Sequence, residues 1–106
     1  MAKSKAKIEL DYRKAEEQSK SLEKIAKELE QLANRQFSEV LRNVSAQWKG
    51  ESAELYVKKG TAVCDELRDR AREIRKTAES VQKIARNVYN AEMEALKLAQ
   101  QRTYQS

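Results

Sequence analysis

Apolar side chains along the first half of the chain recur in steps of three and four: Ile8, Tyr12, Ala15, Leu22, Ile25, Leu29, Leu32, Gln36 or Phe37, Val40 and Val44. That period puts them on one face of an α-helix, with Ala26, Ala33 and Leu41 widening the stripe. Ser19 and Gln36 dilute it, and a polar seam residue is tolerated at a cost in stability, often in return for a fixed register. After Gly50 the pattern is stricter. Ala53, Gly60, Leu67, Ile74, Val81, Val88 and Ala95 stand seven apart without a miss. A second row, Tyr56, Val63, Arg70, Thr77, Ile84, Ala91 and Leu98, is mostly apolar, and a third, from Val57 through Cys64, Ala71, Ala78 and Ala85 to Glu92 and Ala99, is mostly small. Sustained heptads predict a left-handed supercoil, and a small-residue edge lets a neighbouring helix come close. Gly60 gives up about 1 kcal/mol of helix propensity relative to alanine, which close packing against a bulky neighbour would explain.

The two patterns are separated by Ser45-Ala46-Gln47-Trp48-Lys49-Gly50-Glu51-Ser52. Glycine at 50 can take the left-handed conformation that ends a helix, while Glu51 and Glu54 put negative charge at the start of the next one. A short connection between long helices implies antiparallel neighbours. The predicted fold is therefore all-α: an antiparallel two-helix hairpin, about 8–46 and 52–102, in one domain spanning 1–106. At ~1.5 Å per residue the arms measure ~57 and ~75 Å, so the first covers the second only to about residue 90. Residues 89–106 are expected to protrude, and residues 1–7 to form a flexible basic tail. A lone hairpin leaves half of each apolar face open, and pairing two of them into a four-helix bundle covers it.

Composition sharpens this picture by exclusion. The 106 residues contain no proline, no histidine, two glycines and one cysteine. Without histidine or a second thiol there is no metal site to complete, and Cys64 has no intrachain disulfide partner. Nor is there a glycine-rich phosphate loop or a carboxylate pair that stands out from the surface pattern, so no enzyme and no cofactor is expected. The net charge of +5 raises nucleic acid as a partner, but residues 8–47 carry eight acidic and seven basic side chains. Farther on, Arg68, Arg70, Arg72, Arg75 and Lys76 alternate with Asp65, Glu66, Asp69 and Glu73. This reads as a solvated, pair-laced helix face rather than a phosphate-binding patch, leaving a nucleic-acid-binding bundle as the weaker alternative. No apolar run follows Lys3-Ser4-Lys5-Ala6-Lys7, so no cleaved signal peptide and no stable membrane insertion are expected, and synthesis is cytoplasmic.

A helical chain of this length, with Trp48-Lys49-Gly50 at its single break followed by Ala53 and Tyr56, resembles the WXG family, the ESAT-like small proteins of Gram-positive type VII secretion. The resemblance implies a hairpin that dimerises into a four-helix bundle, leaves the cell without a cleaved signal, and is recognised by the membrane ATPase of the secretion machine. Trp48 and Gly50 match the family's turn, where Trp48 would plug the bundle end. The family's export signal is a tyrosine followed four residues later by an acid; here Tyr89 is followed at that distance by Met93. Glu92, one turn away, offers a similar tyrosine-plus-carboxylate surface.

The expected function is thus that of a type VII secretion substrate or secretion partner, acting by dimerisation and protein binding. The alternative is an adaptor that targets a larger secreted toxin. The expected partners are a second copy or a related helical protein, the secretion ATPase, and in the adaptor reading the toxin. The candidate export signal is Tyr89 with Glu92. The candidate dimer or hairpin seam is Leu22, Ile25, Leu29, Leu32, Val40, Gly60, Leu67, Ile74, Val81 and Val88.

Overall fold

The computed structural model describes residues 3–105, with side chains described through Thr103. Met1 and Ala2 of the expected basic tail, and Ser106 of the expected protruding end, lie outside the described residues. Four helical segments follow one another: α1 (Lys5–Gln31), a π-helical segment (Leu32–Phe37), α2 (Ser38–Gln47) and α3 (Glu51–Gln105). Among the described residues there is no strand, and the fold is all-α.

Each boundary has a local cause. α1 starts at Lys5 rather than near Ile8 because Ser4 caps it: the Ser4 Oγ accepts the Lys7 N–H at 3.2 Å, and its carbonyl accepts the Ile8 N–H at 3.0 Å. A serine side chain there satisfies a donor that the first turn leaves open. α2 stops where Trp48 turns extended (φ −119°, ψ 125°), its N–H still bonded to the Val44 carbonyl at 2.8 Å. Gly50 follows at φ +113°, a value that L side chains rarely adopt. The Lys49 Nζ donates to the Ser45 carbonyl at 3.2 Å, placing a cation on the negative end of α2. α3 then begins with Glu51 and Glu54 in its first turn, and the Glu54 N–H bonds the Gly50 carbonyl at 3.1 Å.

The π-helical segment departs from the expected uninterrupted helix. The inward-facing row runs 8, 12, 15, 19, 22, 26, 29, 33, in regular alternation of four and three, with Glu9, Asp11, Glu16 and Glu30 half-buried beside it. The next in the row are 37, 41 and 44, so the step after Ala33 is four and then four again. One residue has been inserted, and a single π turn absorbs it. The Ser38 Oγ donates to the Ala33 carbonyl, five residues back, at 2.8 Å, supplying a donor to a backbone group inside the turn.

The chain divides into two units, Met1–Ser21 with Thr77–Ser106, and Leu22–Lys76. In the first, which we call unit 1, the buried positions are Ile8, Ser19 and Ala78, and the Ser19 Oγ donates to the Ala78 carbonyl at 2.9 Å. A fully buried hydroxyl is tolerated because it is bonded. In unit 2 the centre is Ala33, Leu41 and Cys64, with Phe37 and Leu67 packed against it and Ala26, Ala53 and Ala71 also buried. Gly60 is buried under Leu41. Small residues thus occupy the deepest positions of α3, Ala53 and Gly60 in one row and Cys64, Ala71 and Ala78 in the next, and closely spaced backbones rather than large side chains make these cores.

Candidate functional site

Within unit 2 the two flanks of the packed segments differ in chemistry. On one flank Arg75 pairs with Glu30, and the Arg68 Nε donates to the Asn34 Oδ1 at 2.6 Å. Arg68 also meets Asp65 at 2.9 Å. On α3, Arg68 and Arg75 lie one helical step beyond the Cys64–Ala71 row; Tyr56 and Val63 lie one step beyond the Ala53–Gly60–Leu67 row, on its other side. By the same spacing Ile25 and Leu32 stand opposite Glu30 on the first arm. The second flank of unit 2 is apolar over Ile25, Leu32, Val40, Tyr56 and Val63, all large and all exposed, and ends at Arg70, next in the Tyr56–Val63 row, which pairs with Glu73 at 3.0 Å. The π turn decides the last member of the first arm, since it sends Leu41 inward and leaves Val40 at 49% exposure.

The turn belongs to unit 2 as well. Trp48 is half exposed, its ring 6.2 Å from that of Tyr56 and tilted by 54°. Nothing lies within 4 Å of a Cβ placed on Gly50, so glycine is required there by backbone conformation and not by space. A cavity of about 330 Å³ adjoins it, walled by Ser45, Trp48, Ala53, Val57 and neighbours.

Unit 1 holds a groove of about 260 Å³ between the start of α1 and the 81–92 stretch of α3. Its walls include Ile8, Tyr12, Val81, Ile84, Val88 and Tyr89. The Tyr12 and Tyr89 rings meet with centroids 4.9 Å apart at 42°, within the range where aromatic pairs attract. At one end the Lys3 Nζ donates to Asp11 Oδ2 at 3.1 Å and to Glu92 Oε1 at 3.2 Å, while Lys7 meets Asp11 Oδ1 at 3.0 Å. The hydrogen bonds from Lys7 and then Lys3 hold the Asp11 carboxyl below the usual carboxylate range. Those to Asp11 and then Glu92 hold the Lys3 ammonium above the usual lysine range.

The sign of each shift fixes a pH window. A lowered Asp11 contributes stability above the ordinary carboxylate range and loses it as pH falls through its folded value; a raised Lys3 contributes below the ordinary lysine range and loses it as pH rises past its own. The unfolding midpoint of the native chain should therefore exceed that of Asp11→Asn by a constant margin between about pH 5 and pH 9, narrowing below about pH 4. A margin that persists unchanged at pH 2.5 would contradict the ion-pair assignment. All three side chains are partly exposed, so the margin is small.

The structure distributes the sequence-predicted seam unevenly. Leu22, Leu29, Leu67, Ile74 and Val81 are half-buried and Gly60 is buried. Ile25, Leu32, Val40 and Val88 are exposed. Tyr89 and Glu92 come together on the unit 1 groove. Sequence reasoning did not single out Lys3, Asp11 or Tyr12 as parts of that site. Counting outward from Gly50 by equal numbers of residues brings 12 opposite 88, the signal that would have found the tyrosine pair.

The family model of the PPE family matches residues 15–102, most of the chain. The chain belongs to the PPE family. PPE proteins are helical and associated with type VII secretion, which is also where the Trp48-Lys49-Gly50 break pointed. The match spans the turn, the apolar flank of unit 2 from Ile25 to Val63, and Tyr89 and Glu92 of the groove, but not Lys3 or Asp11. No curated protein and no solved structure matches the chain. No helix among the described residues is long and apolar enough to cross a membrane.

Proposed function

We propose that this PPE-family chain is a non-enzymatic partner protein of type VII secretion, of the ESAT-like kind. It folds back as an antiparallel hairpin and pairs with a second helical chain in a four-helix bundle. In this reading it is exported without a cleaved signal, with Tyr89 and Glu92 as the surface offered to the secretion ATPase. The observation that carries the reading is the apolar flank of unit 2, where Ile25, Leu32, Val40, Tyr56 and Val63 are exposed opposite a flank laced by Arg75–Glu30 and Arg68–Asn34. An apolar patch of five large side chains, bounded on α3 by the Arg70–Glu73 pair, is the core-and-rim arrangement that a helix-bundle interface needs.

The test is co-expression with the helical proteins encoded beside it, followed by size-exclusion chromatography and titration. Native protein is expected to form a complex of two chains, either with itself or with one neighbour. The double substitution Ile25→Lys, Val63→Glu is expected to weaken that complex by more than about 100-fold, or roughly 2.8 kcal/mol, because each charge is buried unpaired at the interface. Both positions are exposed in the single chain, so its helix content and urea midpoint should barely move. A native chain that stays monomeric alone and with every neighbour, or a double variant that assembles as well as native, would sink the proposal.

A further inference from the structure

The unit 1 groove is apolar along most of its wall yet contains one buried acceptor to which no described residue donates. Glu92 Oε1 accepts from Lys3, while Glu92 Oε2 is buried and meets no donor among the described residues. A buried carboxylate oxygen without a protein donor bears a desolvation cost, and such a group calls for a partner from outside the chain's own side chains.

The charges around it are unevenly shared. Asp11 draws on two ammonium groups, Lys3 at 3.1 Å and Lys7 at 3.0 Å, whereas among the described residues Glu92 has a share of Lys3 alone. The Lys3 side chain is 46% exposed, so moving it off Glu92 costs little and leaves it bonded to Asp11. A cation that displaces Lys3 along the groove can therefore take over Oε1, and a turn of the Glu92 carboxylate brings Oε2, closed to solvent in the free chain, to the same cation without stranding any group already there. A guanidinium does this best, since two parallel N–H donors match the two carboxylate oxygens and its weak hydration suits an apolar wall.

We propose that this groove is a receptor for an arginine side chain carried on an apolar segment of a partner protein, with Glu92 as the specificity-determining residue and Lys3 as the group it displaces. The proposal rests on the reading that the chain works by binding another protein and deepens its Tyr89–Glu92 surface, which is separate from the Ile25–Val63 flank.

Benzylguanidinium and benzylurea serve as probes: they share shape and an aromatic ring for the groove, and only the first is charged. Titrated into the full ¹⁵N-labelled chain, benzylguanidinium is expected to shift the amides of Ala85, Val88, Tyr89 and Glu92 and to bind at least about fivefold more tightly than benzylurea. Glu92→Gln, which keeps the shape of the side chain, should bring the ratio to about one, and Lys3→Gln should tighten benzylguanidinium by about twofold or more. Equal binding of the two probes, no shift with either, or discrimination that survives Glu92→Gln would overturn the proposal. So would groove amides that move on dilution of the native chain alone, because a second copy would then fill the groove. A negative result here leaves the Ile25/Val63 complex unaffected, so failure of this proposal and failure of the partner-binding reading are separable.

Discussion

Replacing Gly60 by leucine is expected to destabilise the protein by about 3 kcal/mol, the upper end of the cost of overpacking a closed core. A Cβ added at Gly60 would stand 3.0 Å from Cδ1 and 3.2 Å from Cγ of Leu41, with Cδ2 closer still. Leu41 is itself 7% exposed and packed in the Ala33–Cys64 cluster, so it has little room to turn away. Gly60→Ala should show two opposing effects, a gain of about 1 kcal/mol in helix propensity and a larger loss where the confined Leu41 must give way, and end destabilised by less than Gly60→Leu. The swap Gly60→Leu, Leu41→Ala moves the bulk across the contact and should recover most of the stability that Gly60→Leu loses. Urea unfolding of the four proteins measures all of this. A Gly60→Leu variant as stable as native would mean that the helices at this point do not approach as closely as described.

Gly60 was readable in advance because it breaks propensity inside an otherwise strict heptad, and a helix former is displaced only where something else needs the space. The turn was readable for a similar reason: one glycine, after one tryptophan, at the only interruption of two long periodic runs. What the pattern could not rank was depth. The row of Val81 and Val88 and the row of Ala71 and Ala78 both look like seams, and hydrophobicity favours the first. The structure buries Ala71 and Ala78 and leaves Val88 exposed. Backbone proximity decides this, and the smaller side chain wins the closer position. The same preference leaves valine, isoleucine and tyrosine outside, where they supply the exposed flank.

The groove of unit 1 was half legible. Tyr89 and Glu92 share a face at helical spacing and could be paired from the sequence. Their partners Tyr12, Asp11 and Lys3 come from far along the chain, and periodicity says only that Tyr12 faces inward. Lys3 looked like part of a basic tail because charge composition carries no information on geometry. Its role needs the Ser4 cap, which starts α1 early enough to bring Lys3 within reach of Glu92.

The π turn is the clearest case of a signal present but unresolved, and it leads to the sharpest expected contrast. In the periodic stripe the position after Leu32 reads equally well as Gln36 or Phe37, since an inserted residue makes both partly right. If the π turn is an α-helix with one residue too many, deleting exposed Gln36 restores the alternation of three and four: Phe37, Leu41 and Val44 become the thirty-sixth, fortieth and forty-third residues, in step with Ala26, Leu29 and Ala33. The deletion should cost no more than about 1 kcal/mol, with the Ser38 hydroxyl now bonding four residues back, the usual reach for a serine in a helix. Deleting exposed Glu66 from α3 is the control, because no π turn stands nearby to absorb it. That deletion turns Leu67, Ala71 and Ile74 by about 100° relative to Ala53, Gly60 and Cys64, so one set must leave the core. The expected loss is more than about 4 kcal/mol, which a domain of marginal stability does not survive as a cooperative fold. Circular dichroism and urea unfolding of the two deletions should therefore show one native-like transition and one broad, weak one. Equal damage from both would mean that the π turn is required for packing in its own right, and that the placement of Val40 on the exposed flank is fixed by it rather than merely accommodated.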